Sequence, residues 1–216
     1  MLCLMLSEGC LTSAYNVFNA NVSYVVQVNY GEPMMAASLA VLGWAVFDGL
    51  GVLLMWLLQS KCQVSVWRMA MYQLLAVSLA GLFSLYLGNY WHSLWAYLLA
   101  SLLQGFLVTS ALVPLNVLFF EPLKDGAGVA ASVEIMFKNL PSPVYSMLST
   151  QVLVHRGMRG FMDMQSAAFV AAGLFGFSYA GLQLAGSRER ASERNEEADE
   201  VRNGGDEEGK EDPKRS

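Results

Sequence analysis

The sequence predicts an all-α, polytopic membrane protein with six transmembrane helices and a disordered, charged C-terminal tail. Of its 216 residues, 55% are hydrophobic and 14% are charged, whereas an ordinary soluble domain has about 25% charged residues. The few charges are sparse before Ser187 and crowd the segment after it. Six apolar runs reach the roughly 20 residues that a membrane-crossing helix needs. This composition excludes a soluble globule, and the lack of a basic stripe argues against nucleic-acid binding.

The six predicted spans follow one another with short connections. Their approximate bounds are 2–26, 34–59, 67–87, 94–120, 128–154 and 164–184. Turn-forming or helix-breaking residues stop the successive runs, namely Gly31-Glu32-Pro33, Ser60-Lys61, Gly88-Asn89-Tyr90, Glu121-Pro122 and Lys124-Asp125-Gly126. Short connections make successive helices antiparallel neighbours. We therefore expect one six-helix bundle over residues 1–186.

Residues 187–216 form the predicted tail. They mix Glu, Asp, Arg, Gly and Ser with almost no apolar residue, so they cannot bury enough surface to offset the entropy of ordering. Six spans place the tail and the N-terminus on the same side of the membrane.

The basic residues decide which side this is. Lys61, Arg68, Lys124, Arg188 and Arg190 lie on the side of the termini, whereas only Arg156 and Arg159 lie opposite. The positive-inside rule then predicts that both termini are cytoplasmic, in a plasma or inner membrane rather than an organelle. Aromatic side chains, which favour the membrane interface, occur at the span ends: Tyr30, Trp67, Tyr90, Trp91 and Trp95.

Asp48 is an ionisable residue far inside the second predicted span. It lies about 14 residues from the start of that span, or roughly 21 Å at 1.5 Å per residue. A carboxylate at this depth costs roughly 2.5–3.5 kcal/mol, so its side chain must face protein or water. It is a candidate for proton or substrate coupling, and the alternative is a buried hydrogen bond between helices.

Other polar residues within the spans extend the set of candidates. Glu134 and Lys138 stand four apart on one face of the fifth span, in the order that favours an ion pair. They are read either as a structural pair or as the wall of a charged cavity. Asn16 and Asn19 share one face of the first span by spacing, and Asn116 adds a polar group to the fourth. Together these residues predict a polar path through the bundle, although each could serve only to bond helices.

No residue pattern points to an enzyme. The sequence has no HExxH, GxSxG, GxGxxG or Walker motif. Its cysteines, Cys3, Cys10 and Cys62, have neither a CxxC spacing nor an even number. We therefore expect no catalytic residue, no cofactor and no metal site.

Two stretches resemble the C-terminal half of major facilitator superfamily transporters. FNANVSYVVQVNYG at residues 18–31 resembles the end of the seventh helix of bicyclomycin-resistance-type drug/proton antiporters. PLN at 114–116, EP at 121–122 and AGVAAS at 127–132 resemble the crossing from the tenth helix into the eleventh. The likeness covers essentially residues 1–186.

The resemblance implies a function and a missing partner. Such transporters have twelve helices in two halves that rock around a site near the middle of the membrane. This chain would be the second half, and the likeness implies that it moves a small-molecule substrate across the lipid bilayer by proton antiport. The abrupt start favours a truncated product, and a separate N-terminal half is the alternative. A non-transporting membrane scaffold is the rival function, and an intramembrane enzyme is a weaker one.

Overall fold

A computed structural model shows an all-helical chain over the residues that it describes, which are 1–90, 93–120 and 127–208. Side chains are described as far as Ser187, apart from positions 88, 127, 129 and 130. The predicted turn at Lys124-Asp125-Gly126, the interfacial Trp91 and the last part of the tail, 209–216, lie outside the described ranges.

The helices follow the predicted apolar runs closely in the first two thirds of the chain. They are α1 (Leu2–Tyr24), a π-helical turn (Val25–Asn29), α2 (Met34–Ser60), α3 (Val66–Tyr90), α4 (Leu94–Phe120), α5 (Ala127–Asn139) and α6 (Pro141–Glu208). For α2, α3 and α4 the bounds agree with prediction to within three residues. Pro114 lies inside α4 without ending it.

The predicted span 128–154 is two helical pieces rather than one helix. α5 ends at Asn139, and α6 begins at Pro141. Proline has no N–H to bond to the preceding turn and its ring crowds that turn, but its fixed φ suits the first position of a new helix. The sequence identified the proline, and the structure shows that it divides the span.

A glycine reverses the chain inside α6. Gly157 has φ 66° and ψ −164°, a conformation that is essentially open only to glycine. The helical residues before it, 141–156, fold back on those that follow. A hydrogen bond between the two segments shows this: the Tyr145 hydroxyl donates to the carbonyl of Met164 at 2.5 Å. The predicted connection between the fifth and sixth spans is thus a tight break at one residue.

The packed segments alternate in direction. α1 runs parallel to α5 and residues 141–156, since Gly9 faces Phe137 and Asn21 bonds to Ser149. It runs antiparallel to residues 158–178, since Ser7 bonds to Ala172 and Gln165 bonds to Ala14.

The middle helices follow the same rule. α2 is parallel to α4, because Gly43 lies against Leu102 whereas Gly51 lies against Phe106. α3 is antiparallel to α4, because Gln104 bonds to Ser84 and Ser110 bonds to Gln73. Over the described residues, the chain passes back and forth as expected when short connections join neighbouring helices.

Four helical stretches of the described chain are long and apolar enough to cross a membrane. They are Met34–Ser60, Val66–Leu87, Leu94–Phe120 and Ala131–Ser187, and the last covers both the fifth and the sixth predicted spans. α1 falls outside this group, because Glu8, Asn16, Asn19 and Asn21 lower its hydropathy.

Large apolar side chains cover much of the outer surface. Those on α2 include Leu39, Leu42, Val46 and Trp56, each more than half exposed. A soluble monomer rarely exposes so continuous an apolar face. The surface and the helix lengths together indicate a membrane protein.

The tail is helical further than the sequence predicts. α6 continues to Glu208, past residue 187, where the predicted disordered tail begins, so the predicted disorder is not confirmed. Residues 187–208 contain seven Glu and four Arg, residue types that favour helix even without a core. The chain divides into two compact units, Met1–Ser178 and Tyr179–Ser216. The first holds the bundle, and the described part of the second is the end of α6.

Candidate functional site: a buried charge cluster

Two buried carboxyl groups and a partly buried lysine meet between α1, α4 and α5. The Lys138 ammonium lies 3.4 Å from Oε2 of Glu8. It also donates hydrogen bonds to Oε1 of Glu134 and to Oδ1 of Asn116. Glu8 is fully buried, and Glu134 is 4% exposed. We call Glu8, Asn116, Glu134 and Lys138 the charge cluster.

Local sequence explains how these groups meet. Glu134 and Lys138 are four residues apart on α5, so they lie on one helical face, and the structure contains the ion pair that this spacing predicts. Glu8 reaches them because its neighbour Gly9 has no side chain. A Cβ at Gly9 would lie 3.1 Å from the backbone oxygen of Phe137, so glycine lets α1 approach α5 closely.

The cluster has more acid than base. Lys138 can compensate one ionised carboxylate, so ionisation of both Glu8 and Glu134 leaves one excess negative charge. An uncompensated buried charge is costly. Among the described residues, neither oxygen of Glu8 accepts a hydrogen bond, whereas Glu134 accepts one from Lys138. Glu8 is therefore the carboxyl group better suited to take up and release a proton.

Further along α1, a second set of hydrogen bonds joins this helix to residues 141–156. Asn16 donates to the hydroxyl of Ser142 at 2.7 Å. One turn further, Asn21 donates to Ser149 at 3.1 Å and accepts from Thr150 at 2.8 Å. We call these five residues the polar seam. The cluster and the seam span residues 8–21 of α1, which corresponds to about 20 Å at 1.5 Å per residue.

The remaining predicted site residues lie elsewhere. Asn19 is exposed and is not part of the seam, so it does not share the packed face with Asn16. Asp48 is half-buried on α2, one turn after Trp44, whose ring packs against Tyr15 of α1. In the described part of the chain, its Oδ1 atom has no hydrogen-bond partner. Asp48 therefore stands apart from the charge cluster, and its proposed coupling role stays a prediction.

Glu8 is the functional candidate that the sequence analysis missed. It lies in the apolar run at the start of the first predicted span, as Asp48 lies in the second. A signal was present: a lone carboxylate in an apolar helix needs a partner, and Lys138 is the only lysine inside a predicted span. Asn116 was noted as polar, but nothing in the sequence pairs it with Lys138.

Other kinds of site find less support. Over the described ranges, no three His, Cys, Asp or Glu residues come close enough together to hold a metal ion. Comparison with protein-family models, with characterised proteins and with solved structures found no match to this chain. The chain is thus defined by its own features: an all-helical bundle, several helices able to cross a membrane, and a buried charge cluster.

The hydrogen bonds of the polar seam should stabilise the folded protein. We expect Asn21→Ala to lower the free energy of unfolding by about 1–2 kcal/mol, because two hydrogen bonds between helices are lost and Ser149 loses its donor. Unfolding in mixed micelles with increasing dodecyl sulfate measures the change. Asn19→Ala on the exposed side of the same helix is the control, with an expected change within about 0.5 kcal/mol. Equal effects of the two substitutions would contradict a role of the seam in packing.

Proposed function

We propose that this chain is the six-helix, C-terminal half of a facilitator-type secondary transporter that moves a small molecule across a membrane. The alternating directions of the packed segments support six crossings. These are α1, α2, α3, α4, then α5 together with residues 141–156, and finally the part of α6 that follows Gly157. Glu8, Asn16 and Asn21 of α1 are turned inward onto α5 and residues 141–156, whereas Asn19 is exposed. A helix whose ionisable and amide side chains mostly face the bundle interior can cross a bilayer despite modest hydropathy.

The charge cluster is the observation that carries the proposal. Ionisable groups within membrane helices are costly, and where they occur they commonly mark proton relays or substrate paths. A scaffold could be held together by apolar packing and small residues alone. Here three helices contribute two carboxyl groups, an ammonium and an amide to one buried place. Such an assembly suits a transporter in which a buried group gains and loses a proton.

The charge balance of the cluster supports proton antiport. With Glu8 protonated, the Glu134–Lys138 pair is neutral overall, and loss of the proton from Glu8 adds one negative charge. That change alters the attraction of Lys138 for its neighbours on α1 and α4. In a transporter with two halves, this difference would bias which side of the membrane the central site faces. The half that completes the site would be missing from this chain or supplied separately.

Reconstitution tests transport. The chain, alone or co-expressed with an N-terminal six-helix half encoded upstream in frame, is placed in liposomes of phosphatidylethanolamine and phosphatidylglycerol with an acidic, pyranine-containing lumen. Small organic cations such as ethidium, anions and neutral metabolites are then added outside. We expect at least one of them to release luminal protons when both halves are present. No proton release in any combination would favour the scaffold.

A matched pair of variants tests the proton site. Glu8→Gln keeps the size of the side chain and removes its ionisation, so proton release should fall at least tenfold while downhill exchange of the same substrate persists. Glu32→Gln removes an exposed carboxylate in the connection before α2 and should leave both rates unchanged. Proton release that survives Glu8→Gln would overturn the assignment of Glu8.

A further inference from the structure

An apolar cavity lies beside the charge cluster. It is bounded by α1, by α5 and by the two parts of α6 on either side of Gly157, which we call the hairpin. Its volume is about 400 Å³, within the range of pockets that hold drug-sized ligands. Most of its wall is carbon, contributed by side chains that include Leu6, Phe137, Met164 and Ala171. Tyr145 and Met164 both line it, and the Tyr145 hydroxyl donates a hydrogen bond to the carbonyl of Met164, so the two helical parts of α6 are joined at the cavity.

Ser13 contributes a hydroxyl group to the wall of this cavity. Its side chain lines the wall and is 3% exposed, and in the described part of the chain its Oγ has no hydrogen-bond partner. Ser78, Ser84 and Ser166 instead bond to the carbonyl four residues earlier in their own helices. A buried hydroxyl without a partner costs free energy that a suitable ligand atom would recover.

We propose that the cavity binds a lipophilic group, alkyl or aryl, that carries one hydrogen-bonding atom directed at Ser13. The size and the carbon wall favour an apolar body, and the single unpaired hydroxyl favours one polar atom. The group could belong to a lipid chain near its ester or to a free lipophilic compound. The site lies within one six-helix bundle, so it is separate from a transport path shared by two halves. It does not depend on transport.

Cys10 provides a direct reporter, since it lines the cavity and is half-buried. In a Cys3→Ser/Cys62→Ser background, monobromobimane labels Cys10 alone in nanodiscs of dioleoylphosphatidylcholine. We expect 1-naphthol at ten times its half-saturating concentration to slow labelling about tenfold, as simple occupancy requires. In the matched Cys10→Ser/Cys62→Ser background, labelling of Cys3, which does not line the cavity, should be unaffected.

Two substitutions test the chemistry of the wall. Ser13→Ala should weaken protection by 1-naphthol roughly threefold to tenfold but leave protection by 1-methylnaphthalene unchanged, because only the first probe can hydrogen-bond. Ala171→Phe should fill the cavity and abolish protection by both, whereas Ala45→Phe on the exposed face of α2 should not. Should Ala171→Phe fail to fold, the comparison of the two probes on Ser13→Ala remains decisive.

The bilayer composition separates the two sources of the lipophilic group. If lipid chains occupy the cavity, Cys10 should react more slowly in dioleoylphosphatidylcholine than in diphytanoylphosphatidylcholine, whose methyl branches widen the chain. If free compounds occupy it, the rates in the two lipids should agree and 1-naphthol should slow both. Rates that depend neither on lipid nor on probe would overturn the proposal, whatever the outcome of the transport assay.

Discussion

Lys138→Met should destabilise the protein by about 3–5 kcal/mol, the cost of removing one partner from a buried ion pair. Met keeps the length and apolar stem of lysine, so the main change is the loss of the positive charge. Glu8 and Glu134 are then left buried without a counter-ion, and Asn116 loses its donor. The measurement is the free energy of unfolding in mixed micelles of dodecyl maltoside and dodecyl sulfate.

Controls separate charge from packing in this experiment. Lys61→Met removes an exposed lysine just after α2 and should change the free energy of unfolding by less than about 0.5 kcal/mol. Adding Glu8→Gln and Glu134→Gln to Lys138→Met should restore most of the lost stability, because no buried charge then remains. If the triple variant is no more stable than Lys138→Met, the loss comes from packing and the electrostatic account of the cluster fails.

Gly51→Leu should be nearly as damaging, because it forces α2 away from α4. A Cβ at Gly51 would lie 2.5 Å from the backbone oxygen of Phe106, and a backbone oxygen inside a helix cannot move aside alone. Overpacking of this kind typically costs about 1–3 kcal/mol, and we expect the upper end. On the other side of the interface, Trp44 packs on Gly105 in the same way. The same unfolding assay measures the loss.

Gly49→Leu is the matched control for this contact. Gly49 lies two residues away on the same helix, is exposed, and would place its Cβ with no atom within 4 Å. Replacing Gly by Leu favours the helical state by about 1 kcal/mol at either position. This contribution therefore cancels when the two variants are compared. We expect Gly49→Leu to be neutral or stabilising. Equal destabilisation by both variants would mean that close approach of α2 to α4 does not matter for folding.

Local chemistry explains which parts of the fold were predictable. The bounds of α2, α3 and α4 follow from apolar runs and the turn residues between them, and both signals lie within a few residues of each boundary. Pro141 was also visible, but whether a proline kinks a helix or divides it depends on the neighbours that re-satisfy the backbone. The reversal at Gly157 depends on a left-handed φ, which a lone glycine permits but does not require.

The same distinction holds for the candidate site. Glu134 and Lys138 were predictable as a pair, because helical periodicity alone brings residues four apart onto one face. Asn16 and Asn19 are three apart and were expected to act together, yet only Asn16 meets a partner, Ser142. Whether a polar residue on a helix faces protein or the outside depends on which helix packs against it, and that helix is 126 residues away in the chain.

The sequence by itself determined that this protein is helical, that its helices suit a membrane, and that a few costly charges lie among them. Those properties follow from hydropathy and backbone chemistry, which act over one or two turns of helix. Only the tertiary structure decided that Glu8 joins Glu134 and Lys138, and that an apolar cavity opens beside them. Contacts between distant segments depend on the packing of whole helices, and small residues such as Gly9 set how closely those helices approach.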